Sequence, residues 1–151
     1  MAFTGNYLCN VFKTGLPAGQ FNFNTGTTDV FKIALYTNTA SLDANTTGYT
    51  TTGEVPSFVF NNYLAGGATL TINQVPTVGA QTGESAVSYW SFANVSWSGV
   101  VTARGALIYK ADGATNPAIC VLDFGSDKTS TTSFEVQFPT ASSTSAILRL
   151  Q

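Results

Sequence analysis

Apolar and polar residues alternate with a period of two along most of the chain after residue 30. In "VFKIALYT", Phe31, Ile33 and Leu35 fall on one face and Lys32 falls on the other. The same alternation appears in "PSFVFNNY", "ATLTIN", "AVSYWSFANVSW", "TTSFEVQFP" and "SAILRLQ". A period of two is typical of strands that bury one face. "ARGALIYK" and "AICVLDFG" are nearly continuous apolar runs, which predicts central strands.

Turn-forming residues separate these runs. Gly, Pro, Asn and Asp cluster in "KADGATNP", "GSDKTS", "QVPTVGAQTG" and the long "NTASLDANTTGYTTTGEV". The pattern contains no alternation of strands with helices, which argues against an α/β fold. About eight short strands separated by turns predict an all-β fold, namely an antiparallel β-sandwich of jelly-roll type.

The N-terminal segment follows a different pattern. Four apolar residues recur at a spacing that places them on one helical face: Tyr7, Leu8, Val11 and Phe12. Thr4 can serve as the N-cap and Gly15 falls where a helix would end. These signals predict one short helix over about residues 5–14. Beyond it, "GQFNFNTGTTD" alternates Phe21 and Phe23 with polar residues, which is typical of an extended segment.

We therefore expect two parts in the chain. Residues 1–28 would form a helix and an extended arm, and residues 29–151 would form the β-sandwich domain. A chain of 151 residues can bury about 68–70% of the surface that its unfolded form exposes, so the sandwich can form a core without metal ions or disulfides.

Charge is nearly absent from the middle third of the chain. The 29 residues from 55 to 83 contain no charged side chain, and Glu84 is the only one among the 49 residues from 55 to 103. Charged residues make up 9% of the whole chain, whereas ordinary globular domains contain roughly 25%. Neutral Thr, Ser, Asn and Gln supply the polarity instead. Such a stretch favours a surface that is covered by neighbouring chains, since burying unpaired charges is costly.

The charge distribution also argues against several kinds of partner. The six basic residues are scattered and never adjacent, which argues against nucleic acid because phosphate binding needs clustered Lys and Arg. No apolar run approaches the roughly 18 residues that a membrane span needs, so we expect no membrane partner. "MAFTGNYLCN" lacks the basic and apolar regions of a signal peptide, so we expect synthesis and assembly in a cytoplasm.

Catalytic chemistry has little support in the sequence. The chain has no histidine, which removes the usual general base, zinc ligand and triad member. A pair of carboxylates could still act on a glycosidic bond. Asp123 and Asp127 lie four apart in "DFGSDKT", but their spacing fits calcium loops poorly, and we expect a hairpin turn with Asp127 bonding backbone amides. We expect no enzyme, no metal and no cofactor.

The two cysteines, Cys9 and Cys120, lie 111 residues apart. We expect two buried free thiols in a reducing compartment, although a single bridge between the ends of the chain stays possible at this point.

Aromatic residues are numerous, and most fall on the inward face of a predicted strand. The N-terminal apolar residues and the aromatics beside the charge-free stretch are the exceptions, since they lie outside the clearest alternating strands. They form the candidate interface with another chain: Tyr7, Leu8, Val11, Phe12, Phe21, Phe23, Phe58, Phe60 and Tyr63.

Several blocks of the sequence resemble a family of small virion structural proteins of tailed bacteriophages. The blocks are "KIALYT", "TTGEV", "AGGATL", "ARGALIY" and "LDFG", and they fall in the family's order over most of residues 29–128. The chain departs from the family at "PSFVFNNYL", where the family has a shorter link that is richer in glycine. The resemblance implies an architectural protein and supplies no catalytic residue.

The resemblance leads us to expect a capsid decoration (cement) protein on the exterior of the virion. It would bind the major capsid protein and bridge capsomers, with residues 1–28 as the latch, and would form a homotrimer that fits the local threefold positions of the shell. One alternative is a neck or tail component of the virion. Another is a carbohydrate-binding module for host attachment, with Trp97 or Tyr63 at a shallow site.

Overall fold

A computed structural model describes residues 3–79 and 86–151 and shows an all-β fold, which confirms the predicted fold class. The strands in these ranges are β1 (Tyr7–Leu8), β2 (Phe31–Tyr36), β3 (Ala68–Leu70), β4 (Ile72–Val78), β5 (Ser88–Phe92), β6 (Val95–Ser98), β7 (Val101–Lys110), β8 (Ala118–Ser130), β9 (Ser133–Val136) and β10 (Leu148–Leu150). One short helix, α1 (Asn10–Gly15), follows the first strand.

The strands form three antiparallel sheets. A five-stranded sheet has the order β1-β8-β7-β2-β3, a three-stranded sheet has the order β10-β5-β4, and β6 pairs with β9. The main core joins Phe31, Ile33 and Ile108 of the large sheet to Trp90 of β5 and Phe134 of β9. The architecture is therefore sandwich-like, with the large sheet packed against the two smaller ones. The jelly-roll topology stays a prediction.

The large sheet is covered on its second face as well. Side chains such as Tyr36, Leu107 and Val121 point away from the main core and form a second cluster. The N-terminal segment and the loop over residues 37–54 cover them with Phe3, Cys9, Ala40 and Leu42. Burial on both faces explains why "ARGALIYK" and "AICVLDFG" are apolar at nearly every position.

The N-terminal helix is shorter than predicted. It begins at Asn10 after Cys9, and Thr4 is not its N-cap. Tyr7 and Leu8 form β1 instead, opposite Val121 and Cys120 of β8. The helical spacing of the apolar residues was misleading here, because pairing with the free edge of β8 satisfies backbone groups that a marginal helix would leave exposed.

Residues 3–28 pack onto the sheets of the same chain. Phe12 lies 5.0 Å from Phe21 between ring centroids, in an edge-to-face arrangement, and Phe23 stacks on Phe31 of β2 at 4.5 Å. Asp29 forms an ion pair with Lys110 of β7, with 2.8 Å between Oδ1 and Nζ. Phe12, Phe21 and Phe23 of this segment thus belong to the main core, and the division of the chain at residue 28 stays a prediction.

Two local predictions were wrong and a third is only partly described. "PSFVFNNY" is a loop, not a strand. "GSDKTS" is not a turn, because it lies inside β8. Asp123 pairs with Gly105 of β7 and Lys128 pairs with Ala103, so β8 has three more residues than β7 between these two pairs. The extra residues form a bulge that contains the turn-like glycine. Of "QVPTVGAQTG", residues 74–78 belong to β4 and residues 80–83 lie outside the described residues.

Candidate interaction surface

The loop between Val55 and Ala65 exposes large apolar side chains. Phe58 is 61% exposed, Val59 96% and Phe60 80%, and Leu64 on the same loop is 70% exposed. Val100 lies beside this group, because its backbone N–H donates to the carbonyl oxygen of Phe60 at 3.2 Å. Its side chain is also on the surface, and the residue is 50% exposed. We call Phe58, Val59, Phe60 and Val100 the apolar patch. It lies at one end of the charge-free stretch.

Asparagine side chains hold the loop against the β6–β7 turn. The Oδ1 of Asn61 accepts hydrogen bonds from the backbone N–H of Phe58 at 3.2 Å and of Tyr63 at 3.1 Å. The Nδ2 of Asn61 donates to the carbonyl oxygen of Val100 at 3.1 Å. The Oδ1 of Asn62 accepts from the backbone N–H of Ser98 at 2.7 Å. These bonds fix the backbone beneath the apolar patch.

Gly99 allows the loop to approach this turn. Its φ is +93°, and a Cβ at this position would overlap the carbonyl oxygen of Phe60. Only glycine combines this backbone conformation with the close approach of a second chain segment. The position of Phe60 therefore depends on a residue 39 positions further along the chain.

Glu54 fixes the base of the loop. Its Oε1 accepts hydrogen bonds from the hydroxyl of Tyr63 and the backbone N–H of Gly66, each at 2.7 Å. Its Oε2 accepts from the hydroxyl of Tyr49 at 2.6 Å. The hydroxyl oxygen of Tyr63 in turn accepts from the backbone N–H of Leu35 in β2 at 2.8 Å. One carboxylate thus joins the loop over residues 37–54, the "AGG" turn and the large sheet.

The tyrosines around Glu54 are neutral donors at physiological pH. Burial, reinforced by the hydrogen bond to Glu54, raises the pKa of Tyr63 far above its ordinary value. Burial and the charge of Glu54 raise the pKa of Tyr109 to about 12. Tyr109 also donates its hydroxyl to the carbonyl oxygen of Gly66 at 2.8 Å. The cluster therefore acts as a set of hydrogen-bond donors to Glu54 and to the backbone.

A groove of about 480 Å³ lies beside the apolar patch. Its walls include Pro56, Phe58, Phe60 and Val100, and its polar side carries Arg104 and Asp127. Both charges have partners within the chain. The Nη1 of Arg104 lies 2.8 Å from the Oδ1 of Asp123, and the Oδ2 of Asp127 accepts from the Nδ2 of Asn38 at 2.9 Å. The groove thus combines an apolar wall with one cation and one anion.

The structure divides the predicted interface residues into three groups. Phe58 and Phe60 are exposed. The half-buried members are Tyr7, Leu8 and Val11. The buried members are Phe12, Phe21, Phe23 and Tyr63, which belong to the chain's own core. The assignment of the last group to an interface was wrong, because these rings pack against one another and against the sheets. Removing residues 1–24 would take three of these rings from the core.

Sequence reasoning missed Val59, Leu64 and Val100. The alternating pattern placed Val59 on the face opposite Phe58 and Phe60, as in a strand, whereas a turn at residues 59–60 exposes all three side chains. The absence of charge around Val59 was the available signal. No local pattern connects Val100 to the loop, since that contact depends on the fold.

The aromatics proposed for sugar binding are buried. Trp97 is 3% exposed and its ring centroid lies 5.7 Å from that of Tyr63, which is 1% exposed. Neither ring can stack on a glycan at the surface. The carbohydrate-binding alternative therefore loses both residues on which it depended.

Carboxylate and thiolate side chains are the usual metal ligands in a chain without histidine. In residues 3–79 and 86–151, no group of three or more Cys, Asp and Glu residues could hold a metal ion. The Oδ1 of Asp123 accepts from the backbone N–H of Gly125 at 2.8 Å, so this carboxylate, and not Asp127 as predicted, caps backbone groups in "DFGSDKT". Cys9 and Cys120 are buried free thiols, as predicted. Burial raises the pKa of Cys9 to about 12, which keeps its thiol protonated.

No helix in the described residues is long and apolar enough to cross a membrane. No family model, curated protein or solved structure matches the chain.

Proposed function

We propose that this chain is a non-enzymatic structural protein of a tailed-phage virion, and specifically a capsid decoration protein. It binds the shell formed by the major capsid protein on the outside of the capsid, after assembly in the host cytoplasm. Its action is mechanical, because contact area buried across adjacent capsomers resists the pressure of the packaged DNA.

The observation that carries this proposal is the fixed, uncharged and exposed apolar patch. Single exposed apolar residues are common on proteins, but a contiguous group containing two phenylalanines marks an interaction site. The loop that carries the patch is held by hydrogen bonds that the side chains of Asn61 and Asn62 accept from backbone N–H groups, so little conformational entropy is lost when a partner covers it. The resemblance of "KIALYT", "TTGEV" and "ARGALIY" to virion structural proteins supports a partner within a phage particle.

The buried aromatics change how the N-terminal segment is expected to act. Phe12, Phe21 and Phe23 support the core, so residues 1–28 would reach the shell only through their half-buried and exposed side chains. The exposed loop replaces them as the main candidate for contact with another chain. The homotrimer stays a prediction.

The copy number of the chain in purified particles tests the proposal. Quantitative mass spectrometry would compare it with the major capsid protein. We expect a ratio approaching one to one, as for a protein that covers the whole lattice. About a dozen copies or fewer would instead place the chain in the neck or tail, and its absence from particles would refute the virion role.

A matched pair of variants then tests the surface. Phe60→Ser removes an exposed ring from the apolar patch, whereas Leu150→Ser removes an exposed apolar side chain from β10 (56% exposed). We expect Phe60→Ser, and not Leu150→Ser, to lower the occupancy of the protein on particles. Equal occupancy for both variants would remove the patch from the proposal.

A further inference from the structure

The apolar patch has the size of one half of a protein interface. Phe58, Val59, Phe60 and Val100 are each at least 50% exposed. From their exposed fractions and the ordinary areas of such residues, the four residues of the patch together expose about 500 Å² of surface. Covered by an equal surface, it would bury about 1,000 Å² in total, which is the lower bound for a specific protein interface.

The charges around the patch favour a surface of the same kind. The patch itself contains no charged residue, so two patches can meet without repulsion between like charges. At its border the groove carries Arg104 and Asp127, one of each sign. Both of these charges have partners within the chain. A strongly charged partner therefore finds no complementary charge on the patch, whereas a second copy of the chain presents the same uncharged apolar surface.

We propose that the apolar patch is a contact between two copies of this chain, related by a twofold axis. In such an interface the same surface serves on both sides, and each contact occurs twice. The inference rests on the proposed function in one respect, namely that the patch is an assembly surface. It deepens that proposal by making a second copy of the chain, and not the major capsid protein, the surface that covers the patch. It also differs from the homotrimer, because a patch that faces itself across a twofold axis joins two copies.

The rigidity of the loop supports a preformed contact. Phe60 is held by its backbone bond to Val100, and Tyr63 anchors the other end of the loop to Glu54. A patch that is already ordered in the single chain binds without a folding step. Two copies can therefore dock as nearly rigid bodies.

The first test is analytical ultracentrifugation of the purified full chain over a range of concentrations. We expect a reversible dimer. The double substitution Val59→Ser and Phe60→Ser should raise the dimer Kd at least about 30-fold, as expected when central interface residues are truncated. Val78→Ser is the matched control, since Val78 is 66% exposed on β4, and it should leave the Kd unchanged. Because all three side chains are exposed, the variants should keep the fold, which circular dichroism checks.

The second test uses a single introduced thiol. Val59→Cys places it at the most exposed position of the patch, while Cys9 and Cys120 are 0% and 3% exposed and stay unreactive. Under mild oxidation with diamide, we expect a disulfide-linked dimer from Val59→Cys and none from the wild-type chain or from Val78→Cys.

Three results would overturn the inference. They are a wild-type chain that stays monomeric at the highest concentrations, a trimer, and a dimer whose Kd the patch substitutions do not change. None of them depends on phage particles, so each leaves the proposed function to be decided by copy number. Conversely, a dimer formed by a chain that is absent from particles would refute the virion role and leave the twofold contact in place.

Discussion

Replacing Glu54 by alanine should destabilise the protein strongly, because this partly buried carboxylate accepts three hydrogen bonds. Two come from the hydroxyls of Tyr63 and Tyr49 and one comes from the backbone N–H of Gly66. Tyr63 is 1% exposed, so water cannot easily replace the lost acceptor. Tyr49 is only half-buried, so its hydroxyl can turn to solvent.

The magnitude follows from these differences in exposure. A hydrogen bond to a charged group contributes about 1.5–3 kcal/mol, and a buried donor left without a partner costs about 1–3 kcal/mol. With the full cost at Tyr63 and Gly66 and little at Tyr49, Glu54→Ala should lower the free energy of unfolding by about 3–5 kcal/mol. For a domain of this length, that corresponds to a fall in Tm of roughly 10 °C.

Glu54→Gln separates the hydrogen bonds from the charge. Its carbonyl oxygen can still accept from Tyr63 and from the backbone N–H of Gly66, and the hydroxyl of Tyr49 can rotate to accept from the new amide. Only the charge assistance is lost, so we expect a cost of about 1–1.5 kcal/mol.

Urea unfolding and thermal unfolding, both followed by circular dichroism, would measure these variants. Glu135→Ala is the matched control, because Glu135 is exposed on β9 and accepts one bond from the side chain of Gln137. It should change the free energy of unfolding by less than about 0.5 kcal/mol. A cost for Glu54→Ala no greater than that of this control, or a cost for Glu54→Gln equal to that of Glu54→Ala, would contradict the role assigned to this carboxylate.

Three further predictions concern the loop, the N-terminal segment and pH. Gly99→Ala should lower Tm, because the new Cβ overlaps the carbonyl oxygen of Phe60. Gly113 has a similar positive φ but open space around it, so Gly113→Ala should lower Tm less, and equal shifts would show that φ alone matters. Phe23→Ala should cost about 3–5 kcal/mol in urea unfolding, against less than about 1 kcal/mol for Phe60→Ala, and the reverse order would contradict the assigned burial. Folding raises the pKa of Tyr109 from 10.0 to about 12, so the neutral hydroxyl stabilises the folded protein fully below pH 10, and this contribution is lost as pH rises through 12. Unfolding free energies that stay constant from pH 9 to 12 would contradict this.

The strands could be predicted because each has a strong pattern of its own. Phe134 and Val136 are buried while Glu135 between them is exposed, as the alternation in "TTSFEVQFP" requires. Trp90 and Phe92 are likewise buried on β5. Successive side chains of a strand point to opposite faces of the sheet, so burial of one face produces the period of two in the sequence.

The errors occurred where a distant segment decides the local conformation. Tyr7 and Leu8 form a strand only because the edge of β8 is free beside them. Phe58 and Phe60 alternate like strand residues, but Asn61 donates its Nδ2 to the carbonyl oxygen of Val100 and holds this segment as a loop against the β6–β7 turn. Likewise, nothing near Glu54 in the sequence indicates that it would meet the "AGG" turn. Each of these contacts joins segments whose proximity is a property of the whole fold.

The scarcity of charge is related to the hydrogen bonds inside the protein as well as to the proposed covering of its surface by other chains. Asn61 accepts two hydrogen bonds through Oδ1 and donates one through Nδ2, and an ionised aspartate at this position could not donate. Asn62, Asn94 and Asn6 each accept a bond from a backbone N–H of another segment. The neutral amides therefore fasten loops to strands, where a charge would have to be desolvated.

This use of polarity leaves the outside of the loop apolar. Asn61 and Asn62 use polar atoms of their side chains to bond the protein's own backbone, and the large exposed side chains of the loop are Phe58, Val59, Phe60 and Leu64. In a chain that stayed single, the same loop would gain solubility from a charged residue at position 59 without disturbing any of these bonds, since Val59 is 96% exposed. A valine at that position is physically reasonable when another protein surface covers it.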